Sequence, residues 1–209
     1  MVVRAPRPHR RSMHTTTTRS DEATRVALGV LGVALTGFGI LGFVTNSPST
    51  VSYLFGVTAV AVVLGAHLRR ALPPALTLAL AGLAVAHLAG GLLNVGDDVL
   101  YNAYLGTPVL QYDHLVHSSG VFIGTLVLWH LLMPRSDDPV ARRDIVTVSV
   151  LAGLGLGAIN ETVEFLTTIA NHGAHVGGYN NTGWDLVSNT LGALAAARWL
   201  TRSGKQVEL

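Results

Sequence analysis

Three short stretches of this chain set acids, imidazoles and amides at helical spacing. Asp113 and His117 are four residues apart, His114 and His117 three, Glu161 and Glu164 three, and Asp185 and Asn189 four. On helices each pair therefore shares one face. Carboxylates and imidazoles so placed can hold a divalent cation or exchange protons. Oxygen and nitrogen ligands suit Zn, Mn or Fe, and the chain has no cysteine, which excludes thiolate ligands, thiol nucleophiles and disulfides. The spacing matches neither Glu-x-x-His nor His-Glu-x-x-His, so a divalent metal ion is expected from the ligand types rather than from a motif.

Glu161, Glu164, His117 and Asp113 are the candidate catalytic groups, and His117, Glu161, Glu164 and Asp185 are the candidate metal ligands. His114, Asn189 and His87 are expected to support them, Asn189 by donating a hydrogen bond to a carboxylate. Plainer readings stand beside these. Asp113 and Asp185 also suit the first turn of a helix, where unpaired N–H groups and the dipole attract negative charge. His87 also suits a satisfied bundle core, and His172 and His175, in a Gly- and Asn-rich stretch, suit a solvated loop. Asn160-Glu161-Thr162 and Asn180-Asn181-Thr182 include or match the short glycosylation sequon, which arises readily by chance. Glu161 resists the plain reading because an ionisable group within an apolar run is costly and marks function.

The elements that must carry these groups follow from hydropathy. Of the 209 residues 49% are hydrophobic and only 12% charged, too apolar for an ordinary soluble domain. Apolar runs fall at residues 26–44, 51–68, 71–93, 115–133, 145–170 and 184–200, each near the ~20 residues that cross a bilayer as helix. The expectation is an all-α membrane protein with six transmembrane helices. Strands of a β-barrel are excluded because the runs are continuous rather than alternating.

Charge orients the spans. With both termini cytoplasmic, all 14 Lys and Arg residues fall inside: six before the first helix, Arg69 and Arg70 after the second, Arg135, Arg142 and Arg143 after the fourth, and Arg198, Arg202 and Lys205 at the end. The outer connections, residues 45–50, 94–113 and 171–183, hold none. Six carboxylates are thereby isolated in the outer half: Asp97, Asp98, Asp113, Glu161, Glu164 and Asp185. At about 1.5 Å per residue Glu161 lies roughly 24 Å along the fifth helix from Ile145, deep enough to meet His117 and Asn189, which enter from the outer ends of their own helices.

Residues 1–22, rich in Arg, Pro and Thr, are expected to be a disordered basic cytoplasmic tail, residues 23–202 the transmembrane domain, and residues 203–209 a short second tail. The basic loops face anionic lipid, and no nucleic acid is expected as a partner. Glycines crowd the first helix and the fifth, where small residues permit close helix packing.

Tyr112-Asp113-x-Leu115-Val116-His117, Asn160-Glu161-x-x-Glu164 and Trp184-Asp185-x-x-x-Asn189-x-x-Gly192-Ala193 resemble the YjdF-like bacterial inner-membrane proteins, which are similar in turn to the VanZ-like group. The likeness covers residues 111–197. That family commonly has Lys or Arg after the first Asp, where His114 stands here. The resemblance implies a multi-pass inner-membrane protein and, through VanZ-like members, a link to glycopeptide-antibiotic tolerance. The expected function is an outward-facing carboxylate and histidine site, acting with a metal on a lipid or envelope precursor. A proton-coupled transporter, a non-enzymatic binder, or a structural polar network between helices are the alternatives.

Overall fold

The computed structural model describes residues 11–47, 49–67, 72–132, 139–170 and 178–202. They form six α-helices: α1 (Arg11–Val44), α2 (Thr50–His67), α3 (Pro74–Leu92), α4 (Tyr112–Leu132), α5 (Pro139–Ala170) and α6 (Tyr179–Arg202). Between α3 and α4 lie two-residue strands β1 (Asn94–Val95) and β2 (Asp98–Val99), paired antiparallel, and a 3₁₀ turn over Leu100–Asn102. Gly96 takes φ of 66° to turn the hairpin, a conformation glycine adopts without steric cost. Pro74 sets the φ of the first residue of α3, and the helix stops where Leu93 turns extended.

Four segments are long and apolar enough to cross a membrane: Asp21–Val44, Pro74–Leu92, Tyr112–Leu132 and Arg143–Ile169. Six were expected. Among the described residues α2 offers a shorter apolar stretch, Thr50–Val62. Helix α6 falls short for a different reason: its first half carries Asn180, Asn181, Thr182, Asp185, Ser188 and Asn189, the same side chains that build the polar site. The segment expected to be a disordered tail divides in two. Residues 1–10 and 203–209 lie outside the described residues, whereas 11–22 continue α1 toward its N-terminus; extending a formed helix adds a hydrogen bond per residue without a new nucleus.

The last three helices are mutually packed, and their glycines set how closely. A Cβ on Gly192 would run into the backbone carbonyl of Ser118, which lets α6 lie directly on α4. Gly153 receives Thr125 of α4, and a Cβ on Gly157 would stand 2.9 Å from the Asn189 amide of α6. The expected packing role therefore holds for Gly153 and Gly157 of α5 and for Gly39 and Gly42 of α1, which meet Leu54 and Thr50 of α2, but not for Gly155, nor for Gly29, Gly32 and Gly37, which have nothing within 4 Å. At one end of the bundle Leu76, Leu126, Trp129, Val146, Ala196 and Leu200 form the main core. Val99, Tyr101 and Val116 pack under the hairpin at the other. Phe43, Phe55, Leu151, Ile159, Phe165 and Leu191 stay exposed, as residues facing hydrocarbon do in a medium without water.

Candidate functional site

Alternating helix direction brings the N-terminal turns of α4 and α6 beside the later half of α5. His117 is the centre of the resulting cluster. Its Nδ1 lies 3.1 Å from Glu161 Oε1, and its Nε2 lies 3.3 Å from Asp113 Oδ1, 3.5 Å from Glu164 Oε1 and 3.9 Å from Asp185 Oδ1. Asp185 is fully buried, and Asp113, His117 and Glu161 are nearly so. One imidazole thus stands among four carboxylates, and among the described residues no Lys or Arg forms an ion pair with them. Buried like charges at this separation are unfavourable unless protons or a cation lie between them.

Amides hold the carboxylates in place. Asn189 Nδ2 donates to Glu161 Oε1 at 3.4 Å. Asn181, in the first turn of α6, donates to Asp113 Oδ2 at 3.1 Å and also to Asp185 Oδ2. Asn160 donates to Glu164 Oε1 at 2.6 Å. Among the described residues, two buried carboxylate oxygens of the cluster have no hydrogen-bond partner, Glu161 Oε2 and Asp185 Oδ1; a buried unsatisfied acceptor costs about 1–3 kcal/mol, so these atoms mark where a ligand would be bound most favourably.

His117, Glu161, Glu164 and Asp185 each offer one ligand atom, and the four lie within 4.8 Å of one another. Ligands bind Zn tetrahedrally at about 2.0–2.2 Å, which sets ligand atoms roughly 3.4 Å apart. The set can take a small divalent cation once the widest-spaced side chains close by about 1 Å.

Several expected groups stand elsewhere. Asp97 and Asp98 sit exposed at the hairpin; Asp98 accepts from the Val99 N–H and from Asn102, a local turn rather than part of the cluster. His114 accepts the Gln111 backbone N–H at Nδ1 and rests near the Trp184 ring, its buried Nε2 unpartnered. His172 and His175 lie outside the described residues. His87 pairs at Nδ1 with the Tyr101 hydroxyl at 2.5 Å, against the Tyr53 ring. Burial pushes the Tyr101 phenol well above its ordinary value, so the hydroxyl keeps its proton in this contact. Tyr101 was not singled out from sequence, and Asn160 and Asn181 were noted there without a role toward the carboxylates, although Asn181 precedes Asp185, and Asn160 precedes Glu164, by four residues.

His117, Glu164, Asn160 and Asn189 also form one end of a cavity of about 640 Å³ that has His87 and Tyr101 on its opposite wall. From there it runs between α1, α2 and α3, lined by residues such as Leu28, Val57, Val60, Leu80, Ala84 and Val121.

Residues 23–206 match the family described as Predicted membrane protein (DUF2238). The chain belongs to that family. It is the YjdF-like family that the three motifs resemble. No curated protein and no solved structure matches the chain.

Proposed function

We propose that this DUF2238 protein binds a divalent metal ion through His117, Glu161, Glu164 and Asp185 and uses it on a lipid or envelope precursor in a bacterial inner membrane. The observation that carries the reading is the pair of buried, unpartnered oxygens, Glu161 Oε2 and Asp185 Oδ1, beside an imidazole and a third carboxylate. The protein crosses the membrane six times with both termini cytoplasmic, and the cluster opens to the outside; the one-sided distribution of Lys and Arg supports this orientation.

In this reading His117, Glu161, Glu164 and Asp185 would hold the ion, which would supply Lewis-acid chemistry toward a head-group oxygen or a water. The chain's own groups hold and orient. Asn189 and the Nδ1 side of His117 fix one oxygen of Glu161 and leave the other free, which leaves His117 Nε2 as the ligating nitrogen; Asn160 fixes Glu164, and Asn181 holds Asp113 and Asp185 in place beside it. Such supporting hydrogen bonds orient ligands and typically matter 10–100-fold in metal affinity.

The test is elemental analysis of protein purified in mild detergent without chelator, wild type beside Glu161→Gln. The amide keeps the shape and the Asn189 contact region but is a far weaker ligand. The expected result is a near-stoichiometric divalent metal in the wild type, loss of most of it in the variant, and unchanged membrane insertion. A wild type purified free of metal, and unable to take up Zn, Mn or Fe on dialysis, would refute the reading.

A further inference from the structure

From the cavity we infer the substrate class: a single-chain amphiphile whose hydrocarbon tail lies between α1, α2 and α3 and whose oxyanion head reaches His117 and Glu164. The inference rests on the metal reading for its head group and on independent observations for its tail. The volume of about 640 Å³ falls in the range of sites that enclose one small ligand. Its polarity is divided lengthwise. Along α3 the lining runs from Thr77 to His87, ten residues or about 15 Å of helix, and the polar groups gather at the His87 end.

The rest of the wall is aliphatic apart from Thr24 and Thr77, and two glycines, Gly56 and Gly65, leave room there: a Cβ added at either meets nothing within 4 Å. The neighbouring helices α1, α3, α4 and α5 all contain segments able to cross a bilayer, so the medium around the cavity is itself a store of hydrocarbon chains. A fully apolar ligand would leave the polar end unused. The acidic end has no Lys or Arg in ion-pair contact among the described residues, so an oxyanion binds there only through a cation, as phosphates do in carboxylate-held metal sites. Phosphate and carboxylate heads share this chemistry.

The experiment uses the full-length protein in mild detergent, loaded with Mn²⁺, and three long-chain alkyl probes carrying a mid-chain diazirine: a phosphate monoester, a carboxylate and a neutral alcohol. After photolysis, labelled peptides are mapped. The expected labels fall on Leu28, Val57, Val60 and Ala84, are competed by unlabelled alkyl phosphate, and drop roughly tenfold in Gly56→Leu, whose side chain fills the space of two or so methylenes. Bound metal in that variant should match the wild type. Gly65→Leu serves as the second blocking variant, so failure of one to fold leaves the result decidable.

Labels confined to outward residues such as Val33, Phe43 and Ile159, and indifferent to both leucines and to the competitor, would overturn the tail site. Equal labelling by the alcohol and the oxyanion probes would overturn the head assignment. Preference for phosphate over carboxylate, or the reverse, identifies the source of the oxyanion. A metal-free wild type whose cavity labelling still falls in Gly56→Leu would discard the metal reading and the oxyanion head while retaining the tail site, so the two failures are distinguishable.

Discussion

Asn181 joins Asp113 to Asp185 through one amide. Replacing it by Ala leaves both carboxylates short of a buried donor, at a cost of about 1–3 kcal/mol, well above the ~0.6 kcal/mol average for an interhelical hydrogen bond in a membrane. Asn181→Ala should therefore melt earlier than wild type in detergent containing chelator, and excess Mn²⁺ should restore much of the difference because the ion takes over the carboxylate oxygens; an unchanged melting curve in chelator would show that this amide holds nothing together. The grouping of Asp113, His117, Glu161, Glu164 and Asp185 was readable from spacing and depth alone, since i, i+3 and i, i+4 steps fix a face and a run of residues fixes a height. The amides were harder to see. Asn160 and Asn181 each lie in a sequon-like triplet, which disguised their i, i+4 relation to Glu164 and Asp185. Asp97 and Asp98 were counted with the cluster because depth cannot separate a hairpin tip from a pocket wall.

Between elements, the contact of α4 with α6 depends on a missing side chain. In Gly192→Ala the new methyl meets the Ser118 backbone carbonyl, which cannot rotate away, so the helices must separate; overpacking of this kind costs typically 1–3 kcal/mol. In Gly157→Ala the methyl meets the Asn189 side chain instead, which can swing aside and in doing so gives up Glu161. The two variants should divide cleanly: Gly192→Ala loses thermal stability, whereas Gly157→Ala keeps most of its stability and loses metal. Equal melting points and equal metal contents would remove the distinction. Sequence marked the glycine-rich helices but not the faces. Gly155 lies two residues from both Gly153 and Gly157, on the opposite side of α5, and only the position of the neighbouring helices reveals that it packs against nothing.

For the molecule as a whole, reporter fusions after Arg70, within residues 136–141 and at the C-terminus should report the cytoplasm, and fusions near Ser47, Leu105 and Gly178 the exterior, following the complete one-sided sorting of Lys and Arg. An exterior signal from residues 136–141 would contradict six spans. The helices themselves were legible because hydropathy is a local property. The cavity was not, because an empty space is what remains after helices distant in sequence have packed, and no single stretch of residues records it. Helix α6, too polar to count as a span by itself, has a consequence for biogenesis. Polar and acidic side chains disfavour insertion of a helix on its own, and α6 presents Asp185 together with Asn181 and Asn189 in its first half. Helix α6, which follows α4 and α5 in the chain, therefore depends on their being already at the insertion machinery to receive its polar face. Until it arrives, Asp113 and Glu161 stand without their amide partners, and a nascent chain halted before Tyr179 displays incompletely satisfied polar groups to lipid, the kind of defect by which membrane quality-control proteases tell an unfinished protein from a finished one.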